Sequence, residues 1–101
     1  MRERRRFRVH GEVQGVGFRA FVWREARRLE VDGWARNRFD GSVEVLAEGS
    51  PQQLDGLAAA LAAGPRMSRG DRVESQHEPA TGQEPLAGFS VLGGDGFFAQ
   101  I

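Results

Sequence analysis

The sequence predicts a single α+β domain with the element order β-α-β-β-α-β, on three observations. Apolar and polar residues alternate from Phe7 onward, as in a strand with one buried face. The segment "GSPQQLDGLAAALAAGP" carries both start and stop signals of a helix. An Asp-Gly pair at 40–41 lies between two alternating segments and marks a hairpin. The 101 residues are enough for one core, and no repeat or linker divides them, so we expect one domain over 1–101.

The first half of the chain supplies two strands and a helix. In the first strand, the buried-face positions are Phe7, Val9, Gly11 and Val13, and they alternate with Arg8, His10 and Glu12. A glycine-rich loop then leads to a helix whose apolar stripe consists of Phe18, Phe21, Val22, Ala26 and Leu29. The second strand is predicted from about Val31 to Phe39. The order strand, helix, strand predicts a crossover connection between the first and second strands.

The second half begins with a third strand, in which Val43, Val45 and Ala47 alternate with polar residues. In the second helix Ser50 is the N-cap, Pro51 takes the first helical position and Gln53 completes a capping box. Its apolar stripe is Leu54, Leu57, Ala58 and Leu61, and Gly64-Pro65 ends it. A fourth strand is predicted over about Asp71 to Glu78. "FSVL" forms a short extra strand, and the glycine-rich tail 93–101 has no clear assignment.

This order is that of the ferredoxin-like split βαβ arrangement. Right-handed crossovers put both helices on one face of an antiparallel sheet. The first and second strands then run in the same direction with the third strand between them, so their carboxyl ends meet at one edge, roughly 10 Å apart. The topology therefore brings "QGVGFR" and "ARN" to the rim of one cleft.

The length of the hairpin loop decides which way Asn37 points. A two-residue Asp40-Gly41 turn would pair Phe39 with Ser42 and turn Asn37 away from the face of Val43. A three-residue loop over 39–41, with the glycine in the left-handed conformation, restores the match. We favour the three-residue loop, which directs Asn37 to the side of the helices.

Composition excludes several function classes. Apolar content is 40%, charged content is 28% and the formal net charge is zero, so no global field favours nucleic acid or a membrane surface. Cysteine is absent, which removes thiolate nucleophiles and cysteine metal sites. No apolar run approaches the ~18 residues of a membrane span, and "MRERRRFRVH" lacks the apolar segment of a signal peptide. We expect a cytoplasmic protein without a membrane or nucleic-acid partner.

The loop from Gln14 to Arg19, "QGVGFR", has the features of an anion site. Glycines allow backbone N–H groups to turn inward, and the following helix presents free N–H groups and its positive dipole end. Arg19, in the first helical turn, adds a bidentate fork. The loop lacks the Gly-Lys-Ser/Thr of a Walker A motif. A tetrahedral, terminal phosphate is the predicted guest; a glycine-rich structural turn is the alternative.

Two longer segments resemble one known family. "GEVQGVGFR" at 11–19 resembles the first signature of the acylphosphatases, and "GWARNRFDGSVEVLAEG" at 33–49 resembles the second. The resemblance covers roughly residues 5–92 and implies the same βαββαβ fold. It also implies hydrolysis of acyl phosphates to a carboxylate and inorganic phosphate, without a metal or another cofactor.

The resemblance further implies which residues do the work. Arg19 would hold the phosphoryl group, and Asn37 would orient the attacking water. The phosphate-binding residues would be Gln14, Gly15, Val16, Gly17, Phe18 and Arg19. Inorganic phosphate would be both product and inhibitor, and a stand-alone domain of this size is expected to be a monomer. Two departures from the family pattern concern packing: Glu30 stands where a glycine commonly ends the first helix, and the tail after Leu92 is longer.

Two other functions remain as alternatives. The first is a non-catalytic phosphate- or ligand-binding regulatory domain on the same fold. The second is an RNA-binding sheet, which requires stacked aromatic residues on two central strands; only Phe7 and Trp34 are candidates, and Phe7 is expected to be buried. We interpret the arginines of the N-terminal run as a solvated strand face, His10 as a rim residue, and His77 as having no metal-binding role.

Overall fold

The computed structural model describes residues 2–12, 17–64, 69–78, 85–93 and 97–98. These ranges contain two helices, and their strands lie in one sheet. The strands are β1 (Glu3–Glu12), β2 (Asp32–Asn37), β3 (Val43–Gly49), β4 (Arg69–Glu78), β5 (Phe89–Gly93) and β6 (Phe97–Phe98). The helices are α1 (Phe18–Leu29) and α2 (Pro51–Ala63). The first six elements in chain order, β1 to β4 with the two helices, follow the predicted pattern, and β5 is the predicted extra strand.

The strand order in the sheet is β4-β1-β3-β2-β5-β6. β3 pairs antiparallel with both β1 and β2, so β1 and β2 run in the same direction with β3 between them. β5 pairs parallel with β2. The two helices contact each other and the sheet, which places them on one face. The ferredoxin-like α+β prediction is therefore confirmed.

The core lies between the helices and one face of the sheet. From the helices it takes the fully buried Phe18, Val22, Ala26, Leu54, Leu57 and Leu61, and from the strands Phe7, Val9, Ala35, Val43, Val45 and Ala47. Phe21, Leu29 and Ala58, also predicted for the apolar stripes, pack partly buried against this core. The odd-numbered residues of β1 and β3 thus face the helices, and the even-numbered residues form the open face of the sheet.

Local signals at the helix ends behave as the sequence predicts, with one exception. Ser50 Oγ accepts a hydrogen bond from Gln53 N, and Gln53 Oε1 accepts one from Ser50 N, which completes the capping box of α2. α1 ends at Leu29, and its C-cap, Glu30, adopts the left-handed conformation with φ 60°. Glutamate pays a steric cost there that glycine avoids, so the departure from the family pattern affects the helix end.

Several element boundaries differ from the predicted ones. β1 begins at Glu3 rather than Phe7, because Arg4 and Arg5 pair with β3 and β4 and their side chains are buried. β2 is shorter than predicted and β4 begins two residues earlier. The tail, which had no clear assignment from the sequence, supplies β6: Phe97 and Phe98 pair antiparallel with Gly93 and Leu92 at the sheet edge.

Candidate active site

The carboxyl ends of β1 and β2, the start of α1 and the end of β5 lie at one edge of the domain. This edge carries Arg19 and Asn37, the two residues for which the sequence analysis predicts catalytic roles. Of the predicted phosphate-binding residues, Gln14, Gly15 and Val16 lie outside the described residues. Gly17, Phe18 and Arg19 are described and form the entry to α1.

The N-terminus of α1 has the geometry of an anion site. Gly17 is the N-cap, with φ 76° and ψ 18°, a left-handed conformation that suits glycine, and its carbonyl accepts a hydrogen bond from Phe21 N at 3.0 Å. No described side chain caps the helix, and its first turn contains no acidic residue. The first N–H groups and the positive end of the helix dipole are therefore not neutralised by the described side chains.

Arg19 is half-buried and is oriented by the backbone of β5. Its Nη1 donates a hydrogen bond of 2.6 Å to the carbonyl oxygen of Leu92. Leu92 is the β5 partner of Arg36, the residue that precedes Asn37 in β2. Neighbouring strands lie about 4.8 Å apart, so this contact brings the Arg19 guanidinium close to the end of β2. The carbonyl is neutral and uses one of the five guanidinium N–H groups, so within the described residues the charge and the other four donors have no further partner.

Asn37 occupies the last position of β2 and faces the helices. It pairs with Val43, as Ala35 pairs with Val45, and the side chains of Ala35, Val43 and Val45 are fully buried in the core. This confirms the predicted orientation of Asn37. The Asn37 Oδ1 atom is buried and has no hydrogen-bond partner within the described residues. A buried carbonyl oxygen without a partner is costly, so this atom is suited to bind a water or a ligand.

The hairpin after Asn37 has the predicted three-residue loop over 39–41. Arg38 N donates to Ser42 O at 2.8 Å, and Gly41, with φ 92°, donates to Arg38 O at 3.1 Å. Asp40 Oδ1 accepts hydrogen bonds from Ser42 N at 3.0 Å and Ser42 Oγ at 2.6 Å. These two bonds hold the pKa of Asp40 below its ordinary value. Phe39, at the tip of the loop, is 94% exposed.

The open face behind this edge is covered by ion pairs. Glu44, at 3% exposure, accepts hydrogen bonds from Arg6, from Arg36 Nε at 2.9 Å and from Arg38 Nη1 at 3.1 Å, and Arg8 Nη2 lies 3.9 Å away. We call these five residues the Glu44 cluster. Burial opposes ionisation of Glu44, but the bonds from Arg36 and Arg6 outweigh it and keep the pKa of the carboxyl below its ordinary value.

The N-terminal arginines are therefore partnered rather than simply solvated. Arg4 donates from Nε and Nη2 to Glu48 Oε2, and Arg5 donates to Asp55 and Glu3. Glu48 has a lowered pKa, since the bonds from Arg4 and Arg2 outweigh the effect of its burial. His10 Nε2 forms a hydrogen bond with Glu74 Oε1 at 2.8 Å.

The aromatic residues considered for RNA binding lie in two different environments. Phe7 is fully buried among the core residues. Trp34 lies on the open face between the guanidinium groups of Arg6 and Arg36, at 5.9 and 5.1 Å from the ring centroid. The described parts of the two central strands, β1 and β3, thus do not present the pair of exposed aromatic rings that an RNA-reading sheet requires.

Two further properties concern metals and membranes. Within the described ranges, no group of three or more His, Cys, Asp or Glu side chains is arranged to hold a metal ion. Neither described helix is long and apolar enough to cross a membrane.

The chain is similar to known proteins in both sequence and fold. The acylphosphatase family model matches residues 5–91. A relative named acylphosphatase from Thermococcus kodakarensis is 46% identical over 92 residues, which cover 91% of this chain and 98% of that protein. A second acylphosphatase, from Alkalilimnicola ehrlichii, is 48% identical over 92 residues, covering 91% of this chain and 100% of the relative. A crystal structure of acylphosphatase from Bacillus subtilis superimposes with a TM-score of 0.83 at 37% identity, and the match covers 91% of this chain and 99% of that one.

The sheet with two helices on one face defines a ferredoxin-like α+β domain. Together with the family match over most of its length, this fold shows that the chain belongs to the acylphosphatase family. The Leu92 carbonyl that accepts the hydrogen bond from Arg19 was not predicted from the sequence. Because a backbone carbonyl has no residue identity, no motif could have identified it.

Proposed function

We propose that this protein hydrolyses acyl phosphates to a carboxylate and inorganic phosphate, with Arg19 and Asn37 as its catalytic residues. The observation that carries the proposal is a pair of groups at one edge: a guanidinium with no carboxylate partner and an amide oxygen with no partner at all among the described residues. Arg19 is half-buried, and its hydrogen bond goes to a neutral carbonyl rather than a carboxylate. Asn37 presents a buried oxygen without a partner in the described residues. The first group suits a phosphoryl dianion and the second suits a water.

In the proposed reaction, Arg19 and the backbone N–H groups of residues 14–19 hold the phosphoryl oxygens. Asn37 Oδ1 accepts a hydrogen bond from a water and directs its oxygen at phosphorus. The new P–O bond forms as the bond between phosphorus and the acyl oxygen breaks, and the acyl group leaves as a carboxylate. The proton lost by the water goes to a phosphoryl oxygen or to solvent.

The proposed chemistry needs neither a metal nor a general acid. A carboxylate is the conjugate base of an acid with a pKa of about 4–5, so it departs without protonation. What the protein must supply is positioning and stabilisation of charge on the phosphoryl oxygens, which are the main contributions in phosphoryl transfer. Inorganic phosphate, the product, would occupy the same donors and inhibit competitively. We further propose that the domain acts as a monomer, which light scattering on the purified protein tests.

The decisive experiment measures phosphate release from benzoyl phosphate in the presence of EDTA. We expect turnover that EDTA does not change, with competitive inhibition by phosphate. Phosphate binding without turnover would favour the non-catalytic regulatory domain instead. Loss of turnover on EDTA treatment would contradict the metal-free mechanism.

Three variants test the roles of the two residues. Arg19→Ala and Arg19→Lys should both lose turnover and phosphate affinity, because a lysine point charge does not reproduce the bidentate fork. Asn37→Ala should lower kcat by about 10²–10³, the usual cost of one preorganised polar group, and leave the phosphate inhibition constant nearly unchanged. Near wild-type turnover of Arg19→Lys would overturn the role of Arg19. Equal loss of phosphate affinity in Asn37→Ala would place Asn37 among the phosphate ligands.

A further inference from the structure

Asn37 has no described hydrogen bond that fixes its amide oxygen, so its placement depends on the backbone that carries it. Its Oδ1 atom is buried and without a partner in the part of the chain that the structure describes. The direction of its Cα–Cβ bond is set where β2 ends and the hairpin begins. A small change at this point would displace the amide from the water it is proposed to hold.

A short series of hydrogen bonds connects this point to Asp40. The carboxylate of Asp40 accepts from Ser42 N and Ser42 Oγ through one oxygen, Oδ1. Ser42 O in turn accepts from Arg38 N at 2.8 Å, and Arg38 directly follows Asn37. These hydrogen bonds join the 39–41 loop to the two residues that flank it, Arg38 and Ser42. Together they fix the conformation of the loop relative to Asn37, the last residue of β2.

The other contact of Asp40 is weaker. Arg8 Nη1 lies 3.5 Å from Asp40 Oδ2, and both side chains are substantially exposed, at 31% and 56%. Exposed pairs of this kind contribute little to stability. Ser42, by contrast, is 1% exposed. The hydrogen bonds of Asp40 Oδ1 to Ser42 therefore contribute more to the loop conformation than the contact of Oδ2 with Arg8 does.

We propose that Asp40 is a positioning residue for the reaction: its Oδ1 atom fixes the 39–41 loop, and the loop fixes Asn37. The inference rests on the proposed function, in which Asn37 orients the water. It assigns to Asp40 a role through backbone geometry, with no contact to the substrate and no proton transfer. Asparagine, which offers the same Oδ1 acceptor in such turns, should replace aspartate here.

The test compares Asp40→Ala with Asp40→Asn on benzoyl phosphate. Asp40→Ala should lower kcat on the order of tenfold, less than the ~10² that a 1 Å misplacement can cost. The phosphate inhibition constant should stay unchanged, because Arg19 and the loop amides are not affected. Asp40→Asn should keep kcat within about twofold of wild type, because it retains the acceptor. Asp55→Ala, which removes an exposed aspartate on α2, is the control and should leave kcat unchanged.

Another role for Asp40 gives a different result. If its negative charge mattered, Asp40→Asn would behave like Asp40→Ala, and both would bind phosphate more tightly through reduced repulsion. That outcome overturns the positioning role, as does unchanged kcat in Asp40→Ala.

Hydrogen exchange tests the positioning role of Asp40 without relying on enzymatic activity, so its result is independent of the proposed function. The Arg38 amide should exchange hydrogen faster in Asp40→Ala than in Asp40→Asn or wild type. Unchanged exchange in Asp40→Ala overturns the loop argument whether or not the protein is an enzyme. An inactive wild-type protein overturns the proposed function, and the positioning role with it. An active wild type with an unaffected Asp40→Ala overturns only the positioning role.

Discussion

Replacing Glu44 with glutamine removes a buried negative charge from the open face while keeping the side-chain volume. Glu44 is 3% exposed, and four guanidinium groups of the Glu44 cluster surround it. In the variant these groups would face a neutral amide that accepts hydrogen bonds through one oxygen. Breaking a buried ion pair by removing one partner costs about 3–5 kcal/mol.

Two features of the cluster reduce this cost. The four arginine side chains remain 24–33% exposed, so water screens part of their mutual repulsion. Arg6 and Arg8 also have a second carboxylate each, Glu78 and Asp40. We therefore expect Glu44→Gln to lower the free energy of unfolding by about 2–3 kcal/mol. For a domain of about 100 residues this corresponds to a decrease in Tm of roughly 10–20 °C.

The difference in stability between wild type and Glu44→Gln should depend on pH in a defined direction. The pKa of Glu44 is lowered in the folded protein from the ordinary 4.5. Its contribution to stability is therefore fully present above that ordinary pKa and is lost as pH falls through the lower folded value. Urea unfolding of the two proteins should differ most at pH 6–7, roughly, and converge in acid, where wild-type Glu44 is also neutral.

The matched control is Glu25→Gln, since Glu25 pairs with Arg28 on the surface of α1 and the Arg28 side chain is 63% exposed. It should cost no more than about 0.5 kcal/mol. A Glu44→Gln variant as stable as this control at neutral pH would refute the argument. So would a stability difference that persists unchanged in acid, since that would come from packing rather than charge.

Two further predictions concern positions with a positive φ, where glycine is favoured. Glu30→Gly should raise the free energy of unfolding by about 0.5–1 kcal/mol, because glycine adopts the left-handed φ of 60° after α1 without steric cost. Urea unfolding measures this difference, and a destabilised variant would contradict the prediction. Gly33→Ala should destabilise by more than about 3 kcal/mol, or prevent folding, because the new Cβ would lie 1.8 Å from Leu46 O at φ 144°. A stable Gly33→Ala protein would mean that β2 shifts away from β3, which loss of the Gly33–Ala47 register would reveal by NMR.

Local chemistry in the sequence predicted much of the fold because the relevant partners are close along the chain. The capping box of α2 involves residues three positions apart, Ser50 and Gln53. The parity of the hairpin, and with it the direction of Asn37, followed from one glycine and the alternation on either side. Arg19 could be assigned to the first turn of α1 for the same reason: the glycine-rich loop and the helix start adjoin it.

Long-range partners explain what could not be predicted. Arg4 and Arg5 belong to a charged run that is typical of a solvated terminus, yet each is more than nine-tenths buried. Their partners, Glu48 and Asp55, come 44 and 50 residues later. Pairing of this kind depends on the register of β1 against β3, which alternation alone does not determine. The hydrogen bond from Arg19 to Leu92 O joins residues 73 positions apart and involves a backbone atom, so no sequence pattern predicts it.

The distribution of partners among the arginines bears directly on the site. On the open face, the half-buried Arg6, Arg8, Arg36 and Arg38 all contact Glu44, so their charge is offset within the sheet. Arg19 is also half-buried, but among the described residues its partner is a neutral carbonyl. A guanidinium oriented without being neutralised keeps its attraction for an anion while losing little rotational freedom on binding. The Glu44 carboxylate thus offsets four arginines on the face opposite the helices, and the guanidinium that we propose to hold the phosphoryl group lies at the edge where Asn37 ends β2.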